Sequence, residues 1–119
     1  MTLVSLIGRV MQFDAKESEN GVKYTDLRLQ VRRPYKNYDG NYDNDYFRIA
    51  LFDSYHNRAQ QYFNKGMGIA IKGRLETSKW VDENNQSRYN VVIITESLMF
   101  LPKNYDLETA DFKEELSEE

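Results

Sequence analysis

Alternation between apolar and polar residues predicts two strands in the first half of this chain. Residues 24–33 place mainly apolar side chains at odd positions and polar or charged ones at even positions, and residues 45–53 repeat the alternation. Because side chains two residues apart leave the same face of a strand, each segment has one face suited to a core. The predicted core positions are Leu27, Leu29, Val31, Phe47, Ile49 and Leu51.

Three further strands are predicted at residues 3–11, 67–80 and 89–100. Gly8 and Gly73 are candidate β-bulges, and Pro34 is expected to end the second strand because proline supplies no N–H to a sheet. Turn-rich segments are expected at 14–21 and 34–45. The run 91–94 is apolar at both parities, which predicts burial on both faces, by the sheet on one side and a second subunit on the other.

One amphipathic helix is predicted between the third and fourth strands. Asp53 or Ser54 can cap its start, and Gly66 suits the position just after its end. An apolar stripe recurs between them at helical spacing, formed by Tyr55, Ala59, Tyr62 and Phe63. Five strands with one helix between strands 3 and 4 is the order of the OB-fold, a small all-β barrel that commonly binds single nucleic-acid strands. Other small barrels fit the same pattern.

Length and composition favour one folded domain, since 119 residues with 40% hydrophobic side chains suffice for a single small core. The chain has no cysteine, which excludes disulfides and thiolate metal sites and makes an intracellular location the simpler expectation. We expect neither a signal peptide nor a membrane span, because the N-terminus lacks an apolar core and the longest apolar run is too short.

The net charge of −3 is unevenly distributed along the chain. Residues 1–103 contain 15 basic and 12 acidic side chains, whereas residues 104–119 contain one and seven. We therefore expect a mildly basic domain at 1–103 and an acidic, flexible C-terminal tail at 104–119. Such a tail would compete with nucleic acid for the domain, serve only solubility, or bind partners through Phe112 and Leu116.

The fourth predicted strand carries the only tryptophan, Trp80, on the same face as Lys72 and Arg74 unless a bulge at Gly73 reverses the parity. An indole beside cations suits stacking on a base while the cations hold its phosphate. The alternative is a half-buried tryptophan that closes the end of the core.

Other candidate cations lie in the second and third predicted strands and in the loop between them. They share polar strand faces or flank an aromatic residue at the foot of a loop, namely Arg28, Arg32, Arg48, Arg33 and Lys36.

Enzymatic functions find little support in the sequence. His56 lies outside the apolar stripe of the helix without an obvious set of partners, which favours a surface histidine over a general base. Asp43 and Asp45 lack the rest of a calcium loop, and no glycine-rich loop leads into a helix to hold phosphate. We expect no catalysis, no cofactor and no metal.

Five short segments, in order and at family-like spacing, resemble the bacterial single-stranded-DNA-binding protein family over residues 3–103. They read LIGRV at 6–10, RPYKN at 33–37, DYFRIALF at 45–52, KG at 65–66 with IKGRL at 71–75, and KW at 79–80 with RY at 88–89. The resemblance implies base-stacking aromatics at Tyr35, Tyr46, Phe52 and Trp80. It implies phosphate-contacting cations at Arg48, Lys65 and Lys79, with weaker candidates at Arg9, Arg28, Arg32, Lys72 and Arg74.

The function implied by the resemblance is binding of single-stranded DNA without strong sequence preference, which protects it during replication, recombination or repair at the cytoplasmic nucleoid. The resemblance also implies a homotetramer, with a dimer as the alternative. Replication or repair proteins are expected to bind the acidic tail, although the family's usual long linker and terminal Pro-Phe are missing. One rival hypothesis is a primosomal-type OB-fold adapter that acts mainly through protein partners. A second is an OB-fold that binds RNA or oligosaccharide.

Overall fold

Five long strands close into a barrel in the order β1-β2-β3-β5-β4. The computed structural model describes residues 1–108 and the backbone of 111–112. The barrel strands are β1 (Val4–Glu17), β2 (Lys23–Lys36), β3 (Tyr42–Phe52), β4 (Gly68–Val81) and β5 (Ser87–Phe100). One helix, α1 (Asp53–Tyr62), follows β3, and two short strands, β6 (Tyr105–Asp106) and β7 (Asp111–Phe112), pair beyond the barrel. The predicted five-stranded barrel with a helix between strands 3 and 4 is confirmed.

The interior of the barrel holds four of the six side chains that alternation predicted to face inward, and the other two, Val31 and Phe47, are partly buried against it. Leu27, Leu29, Ile49 and Leu51 are fully buried. The other barrel strands add Val10, Ile69, Ile71, Ile93 and Leu98 to the same cluster, and the helix region adds Ala59 and Phe63. Burial of this apolar area is the main contribution to folding, and it leaves the even positions of β2 and β3, except the buried Ala50, on the outer surface.

The strands are longer than the sequence predicted. β1 pairs with β2 as far as Glu17 opposite Lys23, so the expected turn at 14–21 begins only at Ser18. Pro34 does not end β2, because the strand continues to Lys36 and the register with β3 shifts across the proline instead. Hydrogen bonds to a neighbouring strand keep these polar segments in strand conformation, although their local sequence pattern predicts turns.

The two ends of α1 also differ from the prediction. Phe52 occupies the N-cap position without a side-chain capping bond, and Asp53 begins the helix with φ at 54°. The C-cap is Phe63, so Gly66 lies beyond the expected C′ position. Gly66 has φ at 92° and donates its N–H to the Val10 carbonyl at 2.6 Å, which joins the loop before β4 to β1. In the described part of the chain, no helix has the length and apolar character needed to cross a membrane.

Neither predicted bulge lies at its glycine. The register between β1 and β2 shifts after Val10 rather than at Gly8. The register between β4 and β5 does shift beside Gly73, but the extra, unpaired residue there is Glu96 of β5. Both glycines instead permit close strand approach, since a Cβ at either would collide with a carbonyl oxygen of the adjacent strand. Because the extra residue belongs to β5, the alternation of β4 continues through Gly73. One face of β4 therefore carries Lys72, Arg74 and Trp80, as predicted.

Two other expectations can be compared with the structure. Ile93 and Ile94 are buried by the barrel, whereas Val91 is 58% exposed in the single chain, so its burial by a second subunit stays a prediction. β6 and β7 pair beyond the barrel, in the part of the chain where the sequence pattern predicted no strand. The proposed roles of the Phe112 and Leu116 side chains lie outside the described residues.

Candidate nucleic-acid interface

Cross-strand pairing arranges the outer side chains of β2 and β3 in rows. Arg28 lies opposite Arg48, and Gln30 lies opposite Tyr46. These even positions point away from the buried leucines and isoleucines of the same strands. We call this surface the β2–β3 face, and it brings together five predicted site residues, Arg28, Arg32, Tyr46, Arg48 and Phe52.

Acidic Asp26 lies in the middle of this basic surface. Its Oδ2 atom is 2.8 Å from Lys16 Nζ and 3.3 Å from Arg48 Nη2. Burial raises the pKa of Asp26, but the hydrogen bond from Lys16 and the charge of Arg48 outweigh it and leave the pKa below its ordinary value. Asp26 is therefore ionised at neutral pH, and any anion that approached Arg48 would compete with it.

Tyr46 presents an aromatic ring to solvent on the β2–β3 face. Its side chain is 48% exposed, and its hydroxyl accepts a hydrogen bond from Gln30 Nε2 at 2.9 Å. The guanidinium of Arg28 lies 5.0 Å from the ring centroid, a cation–π distance. These two contacts hold the ring in a defined position for stacking.

Phe52 is half-buried and packs against a second aromatic ring. Its ring centroid lies 5.3 Å from that of Tyr24, its cross-strand partner. Tyr24 is absent from the predicted site residues, although its even position in β2 places it on the same face as Arg28. Farther along the same face, Arg32 lies 3.7 Å above the Tyr42 ring. The face therefore has aromatic groups at both ends and cations between them.

The last residues of β2 include two kinds of predicted site residue. Tyr35 and Lys36 are exposed, whereas Arg33 donates from Nε and Nη2 to the Asp45 carboxylate at 2.8–3.1 Å. The hydrogen bonds of this pair raise the pKa of Arg33 and lower the pKa of Asp45. Arg33 thus fastens the end of β2, where Tyr35 is exposed, to β3.

Residues 75–91 of β4, β5 and their turn form an arm, the β4–β5 arm, whose side chains are almost all exposed. Trp80, 47% exposed, lies opposite Arg88, and Lys79 lies opposite Tyr89. Because consecutive strand residues point in opposite directions, Lys79 and Trp80 lie on opposite faces of the arm. Asp82 accepts a hydrogen bond from Arg88 Nε at 2.8 Å and so orients the cation beside Trp80.

The remaining predicted cations differ in their pairing. Arg74 is bound by Glu76 at 2.5 Å and by Glu96 at 3.2 Å, which neutralises much of its charge. Within residues 1–108, Lys65, Lys72 and Lys79 are exposed and form no ion pair. Lys65 lies in the loop before β4, beside β1 and away from the arm. The unpaired lysines can receive phosphates without displacing a carboxylate.

Glu108, just after the barrel, contacts two candidate cations. Its carboxylate lies 3.4 Å from Arg9 Nη2 and 3.3 Å from Arg32 Nη1. Arg32 Nη1 also donates to the Glu108 carbonyl oxygen. The start of the acidic segment is therefore packed against the edge of the β2–β3 face.

His56 corrects the prediction of a surface histidine. It is half-buried, and its Nδ1 atom lies 2.8 Å from Oγ1 of the fully buried Thr25. Gln60 Nε2 also donates to this hydroxyl at 3.0 Å. The three side chains connect α1 to β2. Across the residues that the structure describes, no three metal-ligating side chains gather into a site for an ion.

Comparison with known proteins identifies the family. The model of the single-strand binding protein family matches residues 1–101. The chain belongs to this family. A single-stranded DNA-binding protein 1 of Staphylococcus aureus is 28% identical over 103 residues, which cover 85% of this chain and 66% of that protein. A single-stranded DNA-binding protein of Oceanobacillus iheyensis is 25% identical over 99 residues, 82% of this chain and 62% of that protein.

Solved structures show the same fold. A Plasmodium falciparum SSB in complex with ssDNA is 27% identical, with a TM-score of 0.68, and the match covers 86% of this chain and 96% of that one. A small single-stranded DNA-binding protein from Streptomyces coelicolor is 20% identical, with a TM-score of 0.60 over 82% of this chain and 92% of that one. The resemblance predicted from five short segments is confirmed, as is the barrel it implied.

Proposed function

We propose that the chain binds single-stranded DNA without strong sequence preference, by ring stacking and phosphate contacts. The observation that carries the proposal is the β2–β3 face, where Tyr46 and Phe52 flank the guanidinium groups of Arg28 and Arg48 outside the barrel. OB-folds bind oligonucleotides on this face and on the loop between strands 4 and 5. Every base has a π-face, so stacking at about 1–3 kcal/mol per base tolerates any sequence.

Family membership supports the proposal. The Plasmodium falciparum SSB was solved in complex with ssDNA, and the relatives of Staphylococcus aureus and Oceanobacillus iheyensis carry single-stranded DNA binding in their names. In the cell this chain would cover strands exposed during replication, recombination or repair, at the nucleoid in the cytoplasm. The proposed role is binding and protection, without a chemical step.

Competition between nucleic acids tests the proposal directly. A labelled oligo(dT) is bound to the full chain and displaced by unlabelled single-stranded DNA, single-stranded RNA or duplex DNA of equal length. We expect displacement by single-stranded DNA at far lower concentration than by duplex. Equal displacement by RNA would favour an RNA-binding OB-fold, and failure to bind the labelled strand would overturn the proposal.

We further infer that the chain assembles as a homotetramer, with a dimer as the alternative. A largely apolar groove of about 460 Å³ opens where the β4–β5 arm leaves the barrel, lined by Val4, Leu6, Phe47, Leu75, Val91 and Ile93 together with Tyr46 and Arg48 of the β2–β3 face. Ile7 and Met99 are also exposed on the outer barrel surface. Apolar surface of this kind marks contact with another protein.

Sedimentation velocity tests the proposed assembly. We expect a tetramer for the wild-type chain and weaker association for Val91→Asp. A wild-type monomer at micromolar concentration would contradict the assembly.

Partner proteins are proposed to bind residues 104–119. The high acidic content of this segment suits partners with basic surfaces, including replication and repair proteins. A pull-down with the full chain and with a variant lacking 104–119 tests this, and equal capture by both would exclude the segment.

A further inference from the structure

Two cations from different strands meet on one carboxylate oxygen at the β2–β3 face. Asp26 Oδ2 lies 2.8 Å from Nζ of Lys16, near the end of β1, and 3.3 Å from Nη2 of Arg48 on β3. The side chain of Asp26 is 16% exposed, against 47% for Lys16 and 64% for Arg48. The carboxylate therefore lies deeper than the two cations, and much of each cation stays open to solvent.

The same three side chains line a cavity of about 420 Å³ on this face. One amide and two aromatic rings complete the lining beside its charged side chains, which are Lys16, Arg28, Arg48, Asp14 and Asp26. With three cations and two carboxylates, the cavity favours an anion. Lys16 has three N–H donors and Arg48 has five, so each keeps donors for a second acceptor while it contacts Asp26.

The two cations also lie beside the aromatic rings proposed for stacking. Lys16 lies opposite Tyr24 in the β1–β2 register, and the Tyr24 ring lies 5.3 Å from that of Phe52. Arg48 is two residues from Tyr46 along β3 and points to the same side of the sheet. A strand with bases stacked at both places would carry its backbone between them, past Lys16 and Arg48.

We propose that Lys16 and Arg48 form a phosphate subsite for the DNA backbone, which the Asp26 carboxylate occupies in the free protein. The inference rests on the proposed single-strand binding. In the free chain Asp26 holds the two cations together and neutralises part of their charge. A backbone phosphate binds them from the solvent side and competes with Asp26, so the carboxylate limits the affinity of the subsite.

The subsite adds Lys16, which is absent from the predicted site residues, to the cations that contact phosphate. It reads no base edge, so it leaves binding indifferent to sequence.

Titration of the full chain with oligo(dT) at four salt concentrations tests both roles. Lys16→Gln should weaken binding at low salt by roughly two- to fivefold, the contribution of one exposed ion pair, and should flatten the plot of log affinity against log salt. Asp26→Asn should strengthen binding by a similar factor, because it removes the competing charge and keeps an oxygen that accepts hydrogen bonds from the cations.

Asp14→Asn is the matched control for Asp26→Asn. Asp14 is exposed, lies opposite Asp26 in the same cavity and forms no ion pair within residues 1–108. The substitution removes the same charge without releasing a cation, so its gain in affinity should be smaller. Lys23→Gln is the control for Lys16→Gln, since Lys23 is exposed at the start of β2, outside the cavity, and should leave the salt dependence unchanged.

The double variant separates phosphate contact by Lys16 from mere neutralisation of Asp26. We expect Lys16→Gln to weaken binding in the Asp26→Asn chain as well as in the wild type. A loss confined to the wild type would overturn the subsite, as would unchanged binding by Lys16→Gln or a gain in Asp26→Asn no larger than in Asp14→Asn. Failure of the wild-type chain to bind oligo(dT) would instead refute single-strand binding itself.

Discussion

The β2–β3 face and the β4–β5 arm carry the same kinds of side chain on different supports. Beneath Tyr46 and Arg48, the neighbouring residues Ile49 and Leu51 are fully buried in the barrel. Around Trp80 and Lys79, almost every residue from 75 to 91 is exposed. The first surface is positioned by a core, and the second by strand pairing and by the Asp82 hydrogen bonds at its turn.

We expect the two regions to have complementary roles. Side chains backed by a packed core hold fixed positions, which would suit ring stacking. An exposed two-stranded arm opens more easily than a core strand, which suits closure over a bound strand. The cations of the two regions also differ in their ion pairing. Arg48 of the β2–β3 face is paired with Asp26, whereas Lys79 of the arm forms no ion pair within residues 1–108.

Loss of core packing should produce the largest effect. Leu27→Ala removes a fully buried side chain beneath the β2–β3 face and should lower the free energy of unfolding by about 2–5 kcal/mol. Val81→Ala, on the arm where the side chain is 59% exposed, should change it by less than about 0.5 kcal/mol. Denaturant unfolding of both variants measures the contrast. Equal destabilisation would show that the arm is part of the core.

The aromatic residues should give the next largest effect, on binding rather than stability. Trp80→Ala and Tyr46→Ala should each weaken single-strand binding by about 1–3 kcal/mol while the melting temperature stays close to that of the wild type. Trp80 fluorescence should be quenched by oligo(dT) and barely by duplex. Tyr62→Ala is the control for binding, because Tyr62 is exposed on α1, outside the β2–β3 face and the β4–β5 arm, and its ring contacts only Phe100 among the described aromatic rings. A Trp80→Ala variant that melts early without quenching in the wild type would instead support a core role.

Salt dependence tests whether both the paired cation, Arg48, and the unpaired one, Lys79, contact phosphates. Arg48→Ala and Lys79→Ala should each flatten the plot of log affinity against log salt by about 0.7 per lost phosphate contact on a single strand. Arg58→Ala should not, since Arg58 on α1 lies over the Phe100 ring at 5.2 Å. Titrations at four salt concentrations measure the slopes. If both site variants keep the wild-type slope, the proposed phosphate path is wrong.

The acidic segment should give the smallest effect. Glu108→Gln frees Arg9 and Arg32 and should raise single-strand affinity at low salt, with a gain that shrinks as salt screens the charges. Deletion of residues 104–119 should raise the affinity further. Glu83→Gln, in the turn of the β4–β5 arm, should raise the affinity as much as Glu108→Gln only if net charge alone matters. Equal affinities of the wild type and the deletion at low salt would exclude competition by the segment.

Much of the site was predictable because alternation is a local property. The even positions of β2 and β3 placed Arg28, Tyr46, Arg48 and Phe52 on one outer face before any pairing was known, and Trp80 likewise shares a face with Lys72. The ends of elements were predicted less well, since Pro34 lies inside a strand and Phe52 precedes the helix without capping it. Both errors arose where contacts between distant segments outweighed local propensity.

The sequence by itself determined the barrel, its inward residues and the outward rings and cations, because strand geometry converts a period of two directly into two faces. Only the tertiary structure decided which cations are free. Asp45 reaches Arg33 from β3, Asp26 reaches Arg48 across the β2–β3 pair, and Glu108 reaches Arg32 from beyond the barrel. Such pairings depend on register and on how distant segments meet, and one residue of slip along a strand would reverse the face of every partner.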